Sequence, residues 1–278
     1  MKKILVPTDF SQDSANAVKF AYLAAKENNC KFSLLNVYNF AVYDPNIPTE
    51  LLSDVISQSS DNSVQGLDII ISEFEKNYPD FKNYLADKIT GEGNLLEVID
   101  KTTDEGNFDF LIMGTKGASG LEEVLIGSNA YTVLSNSKIP VLIIPQKSQY
   151  KGFANILYAV DLTCSEIPAI DKLEELIDLK KKDITFLHLT EEFEDKMSPD
   201  ETKYFDEIKN KLKDVSAKYE FAKCENVADA LEDFVHKLNI DLIVVSKKKR
   251  DFFENLFHKS ISKKLACHTD VPLLALHK

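Results

Sequence analysis

Phe110-Leu111-Ile112-Met113 runs straight into Gly114-Thr115-Lys116-Gly117, and nine residues later Gly127-Ser128 leads into Asn129-Ala130-Tyr131-Thr132-Val133-Leu134. The first run is short, apolar and unbroken, the pattern of a strand buried on both faces. The last reads as the start of a helix. A strand, a glycine loop and a helix N-terminus in that order leave few local folds open. Glycine lets the backbone come close to whatever fills the loop, and the unpaired N–H groups of the helix's first turn point at it. A phosphate suits that place, with the Ser128 hydroxyl as a further donor. Turn geometry alone would explain two glycines; three at this spacing, with a serine at the helix start, point to a phosphate site.

The rest of the chain fits around that unit. Lys3-Ile4-Leu5-Val6 reads as a first strand whose pairing ends at Pro7, with Asp9 and Ser11 as candidate N-caps of a helix carrying Ala15, Val18, Tyr22 and Ala25. Lys31 to Val37 is the second strand, Lys88-Ile89-Thr90 a third with Gly91-Glu92-Gly93 as its turn, and Asn94 caps a helix through Thr102. Phe108 to Met113 and Ile139 to Ile144 are the fourth and fifth strands. Between the second and third strands, Tyr38 to Phe81 forms a long acidic insert with helical periodicity over Leu51 to Phe74.

The order then repeats. Asn155 to Asp161 matches the first strand and its aspartate, Ile184 to Leu189 the second, Asn239 to Val245 the fourth and Val271 to Leu274 the fifth. Ser198-Pro199 opens a helix, serine as cap and proline in the first turn. The chain is a tandem duplication, with a boundary near Gln146 to Lys151. We take the domains as residues 1–147 and 148–278. Strands alternating with helices predict an α/β fold: a parallel sheet with helices on both faces, its ligand crevice beyond the carboxyl ends of the strands. If the first and fourth strands are neighbours, Asp9 and the glycine loop line one crevice; the residues alone leave that adjacency open.

Composition narrows the partners. A formal net charge of −12 over 278 residues argues against nucleic acid. The apolar run after Met1 stops at Pro7, too early for a signal peptide, and no stretch approaches the length of a membrane span. Cys30, Cys164, Cys224 and Cys267 are scattered without a CxxC, as in a reduced cytoplasmic chain. Cys267-His268 lacks the second pair a metal site needs, so neither a metal site nor a catalytic constellation is assigned.

In order along the chain, these residues resemble the universal stress protein family in its tandem two-domain form. Gly114-x-x-Gly117, nine residues, then Gly127-Ser128 matches the family's ATP-binding pattern, and Val6-Pro7-Thr8-Asp9-Phe10-Ser11 and Leu34-Leu35-Asn36-Val37 look like the family too. The resemblance implies two Rossmann-like domains, each a five-stranded parallel sheet of order 3-2-1-4-5. It implies ATP, or ADP or AMP, in the first half, any accompanying Mg or Mn ion being held by the phosphates. Pro7, Thr8 and Asp9 would face the nucleoside and Val37 would pack against adenine. Met113, Gly114, Lys116 and Gly117 would contact ribose and phosphates. Gly127, Ser128, Asn129 and Ala130 would cradle the phosphates. It further implies an intramolecular pseudo-dimer through the last strands, Ile139–Ile144 and Val271–Leu276, with a homodimer as a further option.

The second half departs from the pattern. Ser246, Lys249 and Lys259 stand at the three glycine positions, ahead of Ser260, and side chains there crowd a backbone approach. That half is expected not to bind nucleotide in the family's manner, and Lys247-Lys248-Lys249-Arg250 reads first as a solvated loop and second as a side-chain anion site in place of the backbone one. The leading function is a nucleotide-binding regulatory protein of the stress response. A slow ATPase or nucleotidyl transferase and a ligand-free stress scaffold compete with it. The chain has no HxGH, no Walker A lysine-serine pair and no GxGxxG, and phosphoryl transfer needs more than Asp9.

Overall fold

The computed structural model describes residues 2–39, 49–115, 127–160, 162, 165–190, 197–223, 227–247 and 270–277. The chain divides between Gln146 and Lys147 into two compact units. The first runs β1 (Lys3–Pro7), α1 (Gln12–Asn28), β2 (Lys31–Tyr38), α2 (Thr49–Asn77), a 3-10 turn (Phe81–Asn83) and β3 (Leu85–Glu92). It continues through α3 (Leu95–Gly106), β4 (Phe110–Gly114), α4 (Ser128–Asn136) and β5 (Val141–Ile144). Its strands lie in the order β3-β2-β1-β4-β5 with every neighbouring pair parallel, the expected 3-2-1-4-5. Travel across the sheet reverses at β1, so right-handed crossovers put α1 and α2 on one face and α3 and α4 on the other. The side chains agree: Tyr22 of α1 meets Tyr78 just past α2 at 4.9 Å between ring centroids, and Lys138 just past α4 reaches Asp104 of α3 at 3.0 Å.

The second unit runs β6 (Asn155–Val160), α5 (Ile167–Leu176), a 3-10 turn (Leu179–Lys181), β7 (Asp183–Thr190), α6 (Pro199–Lys211) and β8 (Ser216–Lys223). It ends with α7 (Val227–Leu238), β9 (Leu242–Lys247) and β10 (Leu273–His277). The order β8-β7-β6-β9-β10, again all parallel, reproduces the first unit strand for strand.

β1, β4, β5 and β6 are buried on both faces, which is why they are apolar without alternation, while the edge strands β3 and β8 are largely exposed. Ile4, Leu5, Val6, Leu34, Leu35, Leu111 and Ile112 are at most 1% exposed, and each contributes roughly 1.5–3 kcal/mol by leaving water. α1 lies close on its sheet because Ala17, Ala21 and Ala25, four residues apart, are wholly buried along one stripe. Small polar devices are duplicated with the strands. Asp109 accepts from the Lys3 amide at 2.6 Å ahead of β4, and Asp241 accepts from the Ala154 and Asn155 amides at 2.9 and 3.0 Å ahead of β9. Asn107 and Asn239, both left-handed at φ 50° and 51°, turn the chain out of a helix just before those aspartates, a conformation asparagine tolerates well.

Local expectations shift in three places. Pro7 does not end the strand's pairing: it pairs with Leu35 in register, and the Thr8 amide still donates to the Leu35 carbonyl at 2.8 Å. The third strand runs on through Gly91 and Glu92, which pair with Val37 and Tyr38. Ser11, not Asp9, caps α1; its hydroxyl accepts from the Ser14 amide. Among the described residues no helix is long and apolar enough to cross a membrane, and no three metal-ligating side chains gather. Cys267, His268 and the basic run from Lys248 to Arg250 lie outside the described residues.

Candidate functional site

In the first unit a cavity of about 360 Å³ opens beyond the carboxyl ends of the strands. Pro7, Thr8 and Asp9 line it from the end of β1, Val37 and Asn39 from β2, and Met113, Gly114 and Thr115 from β4. Gly127, Ser128, Asn129 and Ala130 line it from the start of α4. Ten of the twelve residues expected at a ligand site therefore share one cavity. The other two, Lys116 and Gly117, lie outside the described residues.

The crevice has a backbone cause. In a parallel strand successive residues address alternate neighbours. Thr8 donates to β2, while the Lys3 carbonyl accepts from Asp109 on the β4 side. Pro7 falls on the β4 side, where its missing N–H removes a rung. The register between β1 and β4 covers Ile4 with Phe110 and Leu5 with Leu111 and stops there. The two strands part where the strand order reverses, the place at which an open α/β sheet takes ligand.

Three helix N-termini reach the cavity, and they differ. α1 is capped by Ser11, and α3 by Asn94, whose side-chain oxygen accepts from the Leu96 and Glu97 amides at 3.0 and 3.4 Å. α4 begins after Gly127, which is extended at φ −62° and ψ 156° and makes no side-chain cap. Its first intrahelical bond is from the Tyr131 amide to the Gly127 carbonyl. Among the described residues nothing caps the Ser128, Asn129 and Ala130 amides, so this helix end carries both free donors and the positive end of the helix dipole. No lysine or arginine is among the described residues that line the cavity. Among the described residues it offers an anion the backbone amides at the start of α4, the exposed Ser128 hydroxyl and the exposed Asn129 carboxamide.

The floor is polar and tightly tied. The Thr8 hydroxyl pairs with the Ser14 hydroxyl at 3.0 Å and accepts from the Phe10 amide at 3.2 Å. Asp9 accepts from the Ser11 amide and hydroxyl at 3.1 and 2.6 Å. The buried Asp13 carboxylate accepts from the Thr115 hydroxyl at 3.3 Å, joining the first turn of α1 to the end of β4. The missing side chain of Gly114 makes that junction possible, because a Cβ there would lie 2.9 Å from the Asp13 backbone.

Sequence reasoning missed Ser14, Asn39, Gly93, Asn94, Leu95 and Thr115, which also line the cavity. The Gly93-Asn94 signal was present as a turn and a cap. Order 3-2-1-4-5 brings the end of β3 to the same edge of the sheet as the ends of β1 and β4, so a cap that follows a strand becomes a wall of the cavity.

In the second unit one of the corresponding positions, Ser246, is among the described residues. Ser246 pairs with Leu276 in register as Gly114 does with Ile144. Its hydroxyl hydrogen-bonds the phenol of the fully buried Tyr158, which donates to the fully buried Glu166 at 2.9 Å. Burial, then the Glu166 charge, pushes the Tyr158 phenol well above its usual range. Lys249, Lys259 and Ser260 lie outside the described residues.

Known proteins carry the same architecture. The Universal stress protein family model matches residues 1–145 and again 152–277. Universal stress protein MJ0577 of Methanocaldococcus jannaschii is 30% identical over 176 residues, covering 53% of this chain and 96% of that one. Universal stress protein YxiE of Bacillus subtilis is 29% identical over 149 residues, 51% of this chain and 97% of its own. Among solved structures, a universal stress protein from Archaeoglobus fulgidus superposes with a TM-score of 0.74 at 18% identity, over 99% of this chain and 98% of that chain, a likeness of fold.

Proposed function

The chain belongs to the universal stress protein family, and we propose that residues 1–147 hold one adenine nucleotide, ATP in first place, while residues 148–278 are a partner that binds none. One observation carries this reading: ten of the expected residues converge on a single cavity whose anion-facing wall is the uncapped start of α4. The phosphates are assigned to the Ser128–Ala130 amides and the Ser128 hydroxyl, ribose to Met113 and Gly114, and the adenine face to Val37. Lys116 and Gly117, which follow β4 in the sequence, are assigned to ribose and phosphates. The residues present suit a nucleotide whose Mg or Mn ion is held by its own phosphates, since they supply amides and hydroxyls rather than a cluster of carboxylates.

We read the role as regulatory and cytoplasmic. Nothing beside the phosphate wall in the described residues supplies a poised nucleophile: Asp9 is engaged by Ser11, and Asp13 by Thr115. A ligand bound only to the folded state stabilises it by RT ln(1 + [L]/Kd), about 2.7 kcal/mol at a hundredfold excess over Kd. Occupancy is thereby turned into stability, which a partner can sense. Native mass spectrometry of the purified protein, before and after added ATP, tests this. The expected result is one adenine nucleotide per chain. None, or two, overturns it.

A further inference from the structure

Asn36 of β2 and Ser63 of α2 lie behind the cavity wall, 6% and 3% exposed, and neither lines the cavity. The Asn36 side-chain nitrogen donates to the Thr8 carbonyl at 2.7 Å, and the Ser63 hydroxyl donates to the Asn36 side-chain oxygen at 2.6 Å. The partners settle which way the amide points: a carbonyl only accepts, so the nitrogen must face Thr8. Thr8 is the first residue past β1 and lines the cavity. Its carbonyl shares a planar trans peptide with the Asp9 amide, so holding one end of that unit sets the direction of the other.

A second tie comes from the same helix. Phe10 is left-handed at φ 65°, an uncommon conformation for a bulky side chain, and its ring lies over Gly66, where a Cβ would be 2.4 Å from the ring. Gly66 follows Ser63 by three residues, on the same side of α2. α2 thus holds the cavity loop on both sides of Asp9, through Asn36 onto Thr8 and directly onto Phe10. The second unit makes the first of these bonds with a different side chain. His188 follows Leu187, which pairs with Ala159, as Asn36 follows Leu35, which pairs with Pro7; its Nδ1 donates to the Val160 carbonyl at 3.2 Å. The same bond is thus made by two unlike donors at one register position, so a histidine can stand in for the asparagine as donor there.

We propose that Asn36 is a positioning residue for the nucleotide site, acting through the Thr8–Asp9 peptide, and that Ser63 couples the seating of α2 to occupancy of the cavity. This rests on the nucleotide reading above. Coupling of this kind is reciprocal: what α2 does for nucleotide affinity, nucleotide does for α2.

The test uses the full chain, ATP as probe, calorimetry for affinity and amide hydrogen exchange for α2. In the unmodified protein ATP is expected to slow exchange in the α2 segment around Ser63 and Gly66. Asn36→Asp keeps the shape but loses the donor, and is expected to weaken ATP about tenfold or more. Asn36→His restores a donor and is expected to stay within about threefold of the unmodified protein. Ser63→Ala is expected to weaken ATP several-fold and to abolish the slowing of α2, with a lower unfolding midpoint because the buried Asn36 oxygen loses its donor. If Asn36→Asp fails to fold, Ser63→Ala carries the test. A folded Asn36→Asp protein with full affinity overturns the proposal, and so does ATP binding that leaves α2 exchange unchanged. Absence of ATP binding in the unmodified protein overturns the nucleotide reading instead, and the ligand-free arm then decides the relay. Ser63→Ala should speed exchange of the Thr8 to Ser14 amides without any ligand, and unchanged exchange there removes the relay too.

Discussion

Gly114 and Asp13 touch through their backbones: a Cβ on Gly114 would lie 2.9 Å from both the carbonyl carbon and oxygen of Asp13. Backbone cannot swing aside as a flexible side chain can. Gly114→Ala must therefore lift the first turn of α1 from β4, loosening the bond between Thr115 and Asp13. We expect a loss of about 1–3 kcal/mol in urea unfolding, the usual cost of overpacking, together with weaker ATP binding because Ser14 moves with the helix. Unchanged stability would mean that α1 is not held against β4 there.

That contact also shows where the sequence was readable and where it was not. The repeat and nine of the ten strands followed from the sequence, and their order from the resemblance, because burial on both faces leaves an unbroken apolar run; β8, SAKYEFAK with alternate residues exposed, leaves none and was missed. The cavity's position followed from the reversal of strand order at β1. The glycine at 114 was read as room for a phosphate, whereas its nearest demand is room for the Asp13 backbone, a close approach that no local pattern announces. Asn36 and Ser63 were invisible as a pair because 27 residues of chain separate them. Pro7 was read as a stop, since a sequence does not say which neighbouring strand a missing N–H faces.

Ser128 separates two kinds of donor at the phosphate wall. Ser128→Ala removes the hydroxyl alone, and we expect ATP to weaken by about three- to tenfold, the range of one hydrogen bond. Ser128→Pro removes the first free amide of α4 as well. Proline is accepted at the first helical position, and Gly127 at ψ 156° already has the extended conformation a residue before proline needs. The Ser128→Pro protein should keep its unfolding midpoint and bind ATP more weakly than Ser128→Ala by calorimetry. Equal affinities would take the phosphates off this helix.

On the face shared by α1 and α2, Asp80 receives the Tyr22 phenol at 2.5 Å and the Lys26 ammonium at 2.7 Å. The Lys26 contact first, and the Tyr22 hydrogen bond second, hold its carboxyl below the ordinary value of 3.8. A depressed acid stabilises the fold fully above its unfolded value and loses that contribution as pH falls through the folded one. Asp80→Asn should therefore flatten the fall of the thermal midpoint below about pH 4. The difference from the unmodified protein should shrink in 1 M salt, because the pair is at the surface. An acid limb of the same steepness in both proteins would show that the pair does not contribute.

In the second unit, Tyr158 lies fully buried between Glu166 and Ser246. Removing its hydroxyl takes a donor from the buried Glu166 carboxyl, so Tyr158→Phe should cost about 1–3 kcal/mol at neutral pH. At high pH the sign turns. The phenol's folded value is raised well above 10, by burial first and the Glu166 charge second. A raised group gives its stabilisation below the unfolded value and loses it as pH climbs toward the folded one. Above about pH 10 the unfolded chain ionises this tyrosine while the folded one does not, which erodes stability by about 1.4 kcal/mol per pH unit. Tyr158→Phe lacks that loss. Its urea midpoint should start lower at pH 8 and fall less between pH 8 and 11 than that of the unmodified protein, with Tyr22 and Tyr219, also raised, contributing equally to both. Parallel curves across that range would place the Tyr158 phenol in contact with water.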